Sequence, residues 1–241
     1  MSDRESMGKI VGLPMERQGL FSEAKGWVSR RWEELFFLVL LLWLRFQALA
    51  FVGDAQAVFS SLGRGVALFF AFETFVVEQV AFVAIPLFVC PLIYLIAIRS
   101  RSLARRRFLD VVGLYIVLRM FVQLIGMNLL VFDFETPGSI LITQLLLFLP
   151  YSMLAWGWIY WRLDMFAAAT NRTLFRLDCE RDVPRPIDYL VASLSSVFSA
   201  TIPVIKGRSA RARLLILVHG FFVYDLMGLT LSRAVALVQA K

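Results

Sequence analysis

The chain has 241 residues, 59% of them hydrophobic and 14% aromatic, with a mean hydropathy of +0.73. That is more apolar surface than a water-soluble domain of this length buries in one core, so the expected class is an all-α, polytopic integral membrane helical bundle. The formal charge of +7 does not point to nucleic acid, because the basic residues lie at the ends of apolar runs and not on an aromatic-laced polar surface. Membrane lipids, including anionic headgroups, are the expected partners instead.

Sites for covalent or metal chemistry are sparse. The two cysteines, Cys90 in an apolar run and Cys179 in a polar stretch, give neither a disulfide framework nor metal-ligand spacing. HExxH, CxxC, Walker and dinucleotide-glycine patterns are absent, so neither an enzyme nor a cofactor is expected. His219 is the only histidine, which excludes a haem or metal site built from several imidazoles of one chain. It reads as a hydrogen-bonded residue near one end of the last span.

In chain order, residues 15–33 place Leu20, Phe21, Ala24, Trp27 and Val28 on one helical face, the pattern of a helix lying in the membrane interface. The polar residues before the first long apolar run do not form a cleavable signal, so that span is expected to be retained. Spans follow at 35–52, at 66–98 (long, and kinked by Pro86 and Pro91), at 109–132 and at 139–161. The turn from Asp133 to Gly138 joins the last two of these. Tyr151, Trp156, Trp158, Tyr160 and Trp161 are expected to form an aromatic belt at headgroup level. Residues 162–186 form a polar connection, 187–205 a serine-rich run too polar for a confident span, and 214–238 the last span. The chain therefore divides into 1–33, 34–161, 162–186 and 187–241, with about five transmembrane helices and one short or re-entrant helix.

Arg99, Arg101, Arg105, Arg106 and Arg107 set the orientation by the positive-inside rule, with a cytoplasmic amino terminus. The basic run from Lys206 to Arg213 falls on the same side if the serine-rich segment enters and leaves by one face. A bacterial inner (plasma) membrane or an internal membrane is the expected location. Ionisable residues within apolar runs cost free energy and mark either structure or transport. They are Arg45, Glu73, Glu78, Arg119, Asp225 and Arg233. Interhelical bonds are expected from Glu73 and Glu78 to Arg45 and Arg119, which would make these four structural. Asp225 and Ser232 share a face of the last helix with Gly228 and Leu229, where a neighbouring helix is expected to approach closely and accept a hydrogen bond.

The segment from Asp188 to Pro203 is serine-rich and ends in proline; a basic step, an arginine-led apolar helix and Arg233-Ala234-Val235 follow. This order resembles the pore module of the two-transmembrane, potassium-channel-like family, over the last quarter of the chain. The resemblance implies a pore helix at Ser193–Phe198, a filter at Ser199–Ile202 and a flexible point at Gly220 or Gly228. The family's glycine-tyrosine-glycine filter is missing, so what it implies is a channel-like layout with a degenerate filter. Ser195, Ser196, Ser199 and Thr201 are then the pore-lining candidates of a homo-oligomeric, channel-like subunit. The competing expectation is a non-conducting subunit, assembly factor or scaffold of a larger membrane complex, whose serines serve helix packing. A transporter is less well matched, since the two halves show no inverted symmetry.

Overall fold

The computed structural model describes residues 31–47, 68–69, 71–72, 75, 81–97, 103–132, 138–169, 172–178, 184–198 and 205–239. Helix α1 covers residues 31–47. It is followed by α2 (Ala81–Ala97), α3 (Leu103–Phe132), α4 (Gly138–Ala168), strand β1 (Phe175–Leu177), α5 (Pro186–Phe198), strand β2 (Ile205–Gly207) and α6 (Ala210–Gln239). Three stretches are long and apolar enough to cross a membrane: Leu103–Leu129, Ile142–Ala168 and Ala210–Leu229. The expected spans at 35–52 and 66–98 are described only in part, through α1 and α2. Of the interfacial helix expected at 15–33, only the opening of α1 lies within the described residues.

Helix α4 is the hub of the bundle, and its aromatic run explains why. Tyr151, Trp156, Trp158, Tyr160 and Trp161, the residues expected as a headgroup-level belt, are all buried against other parts of the bundle. Helices lie on several sides of α4, so its large rings fill the spaces between neighbours. Trp32 and Phe37 of α1 meet Trp161 and Trp158 edge-on at centroid separations of 4.5 and 5.3 Å. The Tyr151 hydroxyl donates to the Ile116 carbonyl of α3 at 2.6 Å, and Trp43 Nε1 donates to Leu147 O at 2.9 Å, in the region that Pro150 interrupts. Gly113 of α3 lets the Trp158 ring lie where a Cβ would stand, only 2.1 Å away.

Helix limits differ from the expected spans for one physical reason. Helix α3 starts at Leu103, not Leu109, and α4 continues to Ala168 beyond Trp161. Apolar runs mark where lipid or core lies, whereas helices continue through arginine, leucine and alanine at little cost until a cap or breaker intervenes. Helix α6 likewise begins at Ala210, where Ser209 Oγ accepts from the Ala212 amide at 3.1 Å as an N-cap.

Strands β1 and β2 pair antiparallel, with Phe175 opposite Gly207 and Leu177 opposite Ile205. The end of α4 leads to β1, and β2 leads into α6. The same end of the bundle holds the start of α1, through Glu33 and Arg106, and the start of α3, through Asp110 and Arg162.

Candidate functional site

Helix α5 is built to start sharply. Pro186 takes the first helical position, where its missing N–H is no loss, and Asp188 reaches back to accept from the Arg185 amide at 2.6 Å. Its entry is fixed by Asp164 of α4, a buried carboxylate that accepts from the Leu174 amide at 2.7 Å, the Phe175 amide at 3.2 Å and the Tyr189 hydroxyl at 2.5 Å. One carboxylate thus ties α4, β1 and α5 together. Asp164 was not singled out by its sequence position; its only signal is a lone acid directly after an aromatic-rich span.

From that anchor α5 runs antiparallel to α4. Tyr189 meets Asp164, Leu190 lies on Gly157, and Ser193 Oγ donates to Met153 O at 2.8 Å, so α4 numbering falls as α5 numbering rises. A Cβ on Gly157 would stand 2.5 Å from Leu190 Cδ2 and 2.8 Å from Leu190 Cα, so the glycine permits this approach. The helix descends about 20 Å at 1.5 Å per residue. Since Leu177 pairs with Ile205, the chain has come back to the starting end by β2. The start of α5 and strand β2 therefore lie at one end of the bundle, while the Phe198 end of α5 lies deeper along α4.

The hydroxyls on α5 are already engaged. Ser193 is fully buried, Ser195 Oγ donates to Ala192 O at 2.9 Å, and Ser196 Oγ donates to Ser193 O at 2.6 Å. Ser196 Oγ also lies 3.4 Å from His219 Nε2, while the other ring nitrogen is 2.8 Å from the Tyr160 hydroxyl. The imidazole stacks on Trp156 at 4.6 Å and is 2% exposed, so it is held as a hydrogen-bonded residue inside the bundle. What α5 leaves uncovered is a stripe of Ile187, Val191 and Leu194, spaced to share one helical face. Ser199 and Thr201 lie outside the described residues, so the structure brings together only half of the serine and threonine candidates.

The intramembrane charges disperse. Arg45 is exposed on α1, and Arg119 is buried within α3. Glu73 and Glu78, and hence their expected bonds to these arginines, lie outside the described residues, as does the side chain of Arg233. Asp225 Oδ2 accepts from Asn128 Nδ2 of α3 at 2.8 Å, so it does meet a neighbouring helix. Gly228 does not mark that contact: a Cβ there would meet nothing within 4 Å. Gln123 donates to Gln47 at 3.1 Å and links α3 to α1 in the same way.

A second constellation gathers where α1, α3 and α4 meet. Arg105 Nε donates to Glu34 Oε1 at 2.7 Å, and Arg106 binds both oxygens of Glu33 at 2.7 and 3.1 Å. Trp158 Nε1 adds a 3.2 Å bond to Glu33. Burial pushes the Glu33 carboxyl above its usual range, and the Arg106 guanidinium opposes that rise. Asp110 takes a two-pronged contact from Arg162, Nε at 2.7 Å and Nη2 at 2.8 Å, plus Arg106 Nη2 at 3.0 Å. From sequence, Arg105 and Arg106 show only as orientation signals. Their carboxylate partners were hidden because Glu33 and Glu34 belong to the polar stretch far away in sequence.

Among the described residues no group of three His, Cys, Asp or Glu side chains stands close enough to hold a metal ion. Searches against protein-family models, curated proteins and solved structures find no match to this chain.

Proposed function

We propose that the chain is a non-conducting subunit of a membrane assembly, in which α5 is a packing element and not the wall of a pore. One observation carries this reading: α5 turns Ser193 into the protein, bonds Ser195 and Ser196 to its own carbonyls, and leaves an apolar stripe of Ile187, Val191 and Leu194 uncovered. A water path needs polar groups on the open face, whereas an apolar stripe is satisfied by lipid or by another apolar surface. The basic residues Arg105, Arg106, Arg107, Arg162, Arg176, Lys206, Arg208, Arg211 and Arg213 belong to the bundle end where α5 begins. Under the positive-inside rule that end is cytoplasmic, and α5 is a re-entrant helix dipping from it.

The channel-like reading keeps one specific support: the order of long helix, short helix whose flanking strands β1 and β2 meet at one side, and long helix is similar to the layout implied by the potassium-channel-like resemblance. Ion flux separates the two. Purified protein reconstituted into liposomes carrying a potassium gradient is expected to leak no faster than empty liposomes. A flux that disappears in Ser195→Val or Ser196→Val would establish the channel instead.

A further inference from the structure

We propose that the groove between α3 and α4 is a binding site for one anionic glycerophospholipid, its phosphate at Arg162 and one acyl chain along the helices. The groove has a volume of about 460 Å³ and is lined by Leu114, Val117, Ile159, Leu163 and Phe166, with Trp158 beside Gly113 and the Asp110 and Arg162 pair completing it. Asp110, Leu114 and Val117 follow one another along one face of α3, so charge and apolar lining are separated along the helix axis. The charges stand at the basic end of the bundle; the apolar walls continue about 10 Å toward its middle. That polarity matches a lipid: a headgroup at the interface and a chain directed into the bilayer.

Charge fixes the kind of headgroup. Asp110 is occupied by three donors from Arg162 and Arg106, so it offers little to a second cation. Arg162 spends Nε and Nη2 on that carboxylate, which leaves Nη1 outside the pair and fixes the guanidinium plane. Arg106 is taken up by Glu33 and Asp110, so the cation left over at the mouth of the groove is the exposed Arg107, one turn before Asp110 on α3, and with Nη1 of Arg162 it favours phosphate. Free phosphate is the weaker fit, because most of the lining is apolar and would stay wet. The proposal rests on the membrane placement and is independent of whether the chain conducts.

The test is native mass spectrometry of the delipidated full chain titrated with phosphatidylglycerol, phosphatidylcholine or glycerol phosphate. One phosphatidylglycerol is expected to be retained, with phosphatidylcholine weaker by roughly fivefold, the discrimination that one basic residue near a headgroup supplies. Leu114→Trp fills the slot without touching the ion pairs and is expected to abolish retention while leaving the circular dichroism spectrum unchanged. Arg162→Gln is expected to remove the headgroup preference. Unchanged retention in Leu114→Trp, equal retention of both lipids, or competition by glycerol phosphate as strong as that by the lipid would overturn the proposal. Failure of the chain to enter nanodiscs at all would refute the membrane placement itself, a separate result.

Discussion

Gly157 carries more of this structure than its size suggests. Its missing side chain lets Leu190 sit against the α4 backbone, and neither atom nearest to a new Cβ, Leu190 Cδ2 at 2.5 Å or Cα at 2.8 Å, can move without shifting α5. Gly157→Val is therefore expected to destabilise the protein by about 1–3 kcal/mol, the range for overpacking a filled contact. Gly220→Ala is the control, since nothing lies within 4 Å of its Cβ direction. It should leave the melting temperature in detergent unchanged or raise it slightly, because alanine is the better helix former. Equal destabilisation by both would contradict the packing. Asp164 offers a second test at this scale: Asp164→Ala removes the acceptor of the buried Phe175 amide, a loss of about 1–3 kcal/mol, so a clear fall in melting temperature is expected. Neither residue could be read from sequence. A glycine among tryptophans looks the same whether those rings face lipid or a neighbouring helix, and hydropathy does not distinguish the two.

Elements were more legible than contacts. The helices ending at Phe132 and starting at Gly138 and the last long helix follow from apolar length, and the short serine-rich helix was expected within 187–205, whereas the turn expected from Asp133 to Gly138 lies outside the described residues apart from Gly138. Their outer limits were not, because capping by Ser209 and anchoring by Asp164 depend on chemistry beyond hydropathy. Within α5 the serines are unequal. Ser193→Ala removes a bond to another helix and is expected to cost about 0.5–1.5 kcal/mol, whereas Ser195→Ala removes only a bond to its own helix and should be nearly neutral. Thermal unfolding of the two variants side by side reads the difference. The return of the chain to one end makes a further prediction. With Cys90 and Cys179 replaced by serine, single cysteines introduced as R176C and K206C should be labelled by an impermeant thiol reagent from the same side of the membrane. Labelling from opposite sides would mean that α5 crosses.

At the scale of the whole molecule, two kinds of interaction divide the work. Apolar rings around α4 supply the buried area, and polar pairs between helices fix which faces meet. Arg105 with Glu34, Arg106 with Glu33, and Arg162 with Asp110 secure one end, while Gln123 with Gln47 and Asn128 with Asp225 act farther along α3. A lost partner at the first of these is the costlier change: Arg105→Ala leaves the fully buried Glu34 without one of its cations. Composition alone pointed to the membrane class, and three helices long and apolar enough to cross a membrane agree with it. The candidate site was less so, because serines lining water and serines bonding carbonyls have the same sequence. The measurement that tests the non-conducting, packed account most directly is a three-dimensional map of the protein extracted in native lipid nanodiscs, read at the surface of α5. The account predicts that Ile187, Val191 and Leu194 are covered by lipid or by another subunit and that Ser195 and Ser196 lie away from water. A symmetric homo-oligomer with a hydrated axis lined by Ser195 and Ser196 would contradict it.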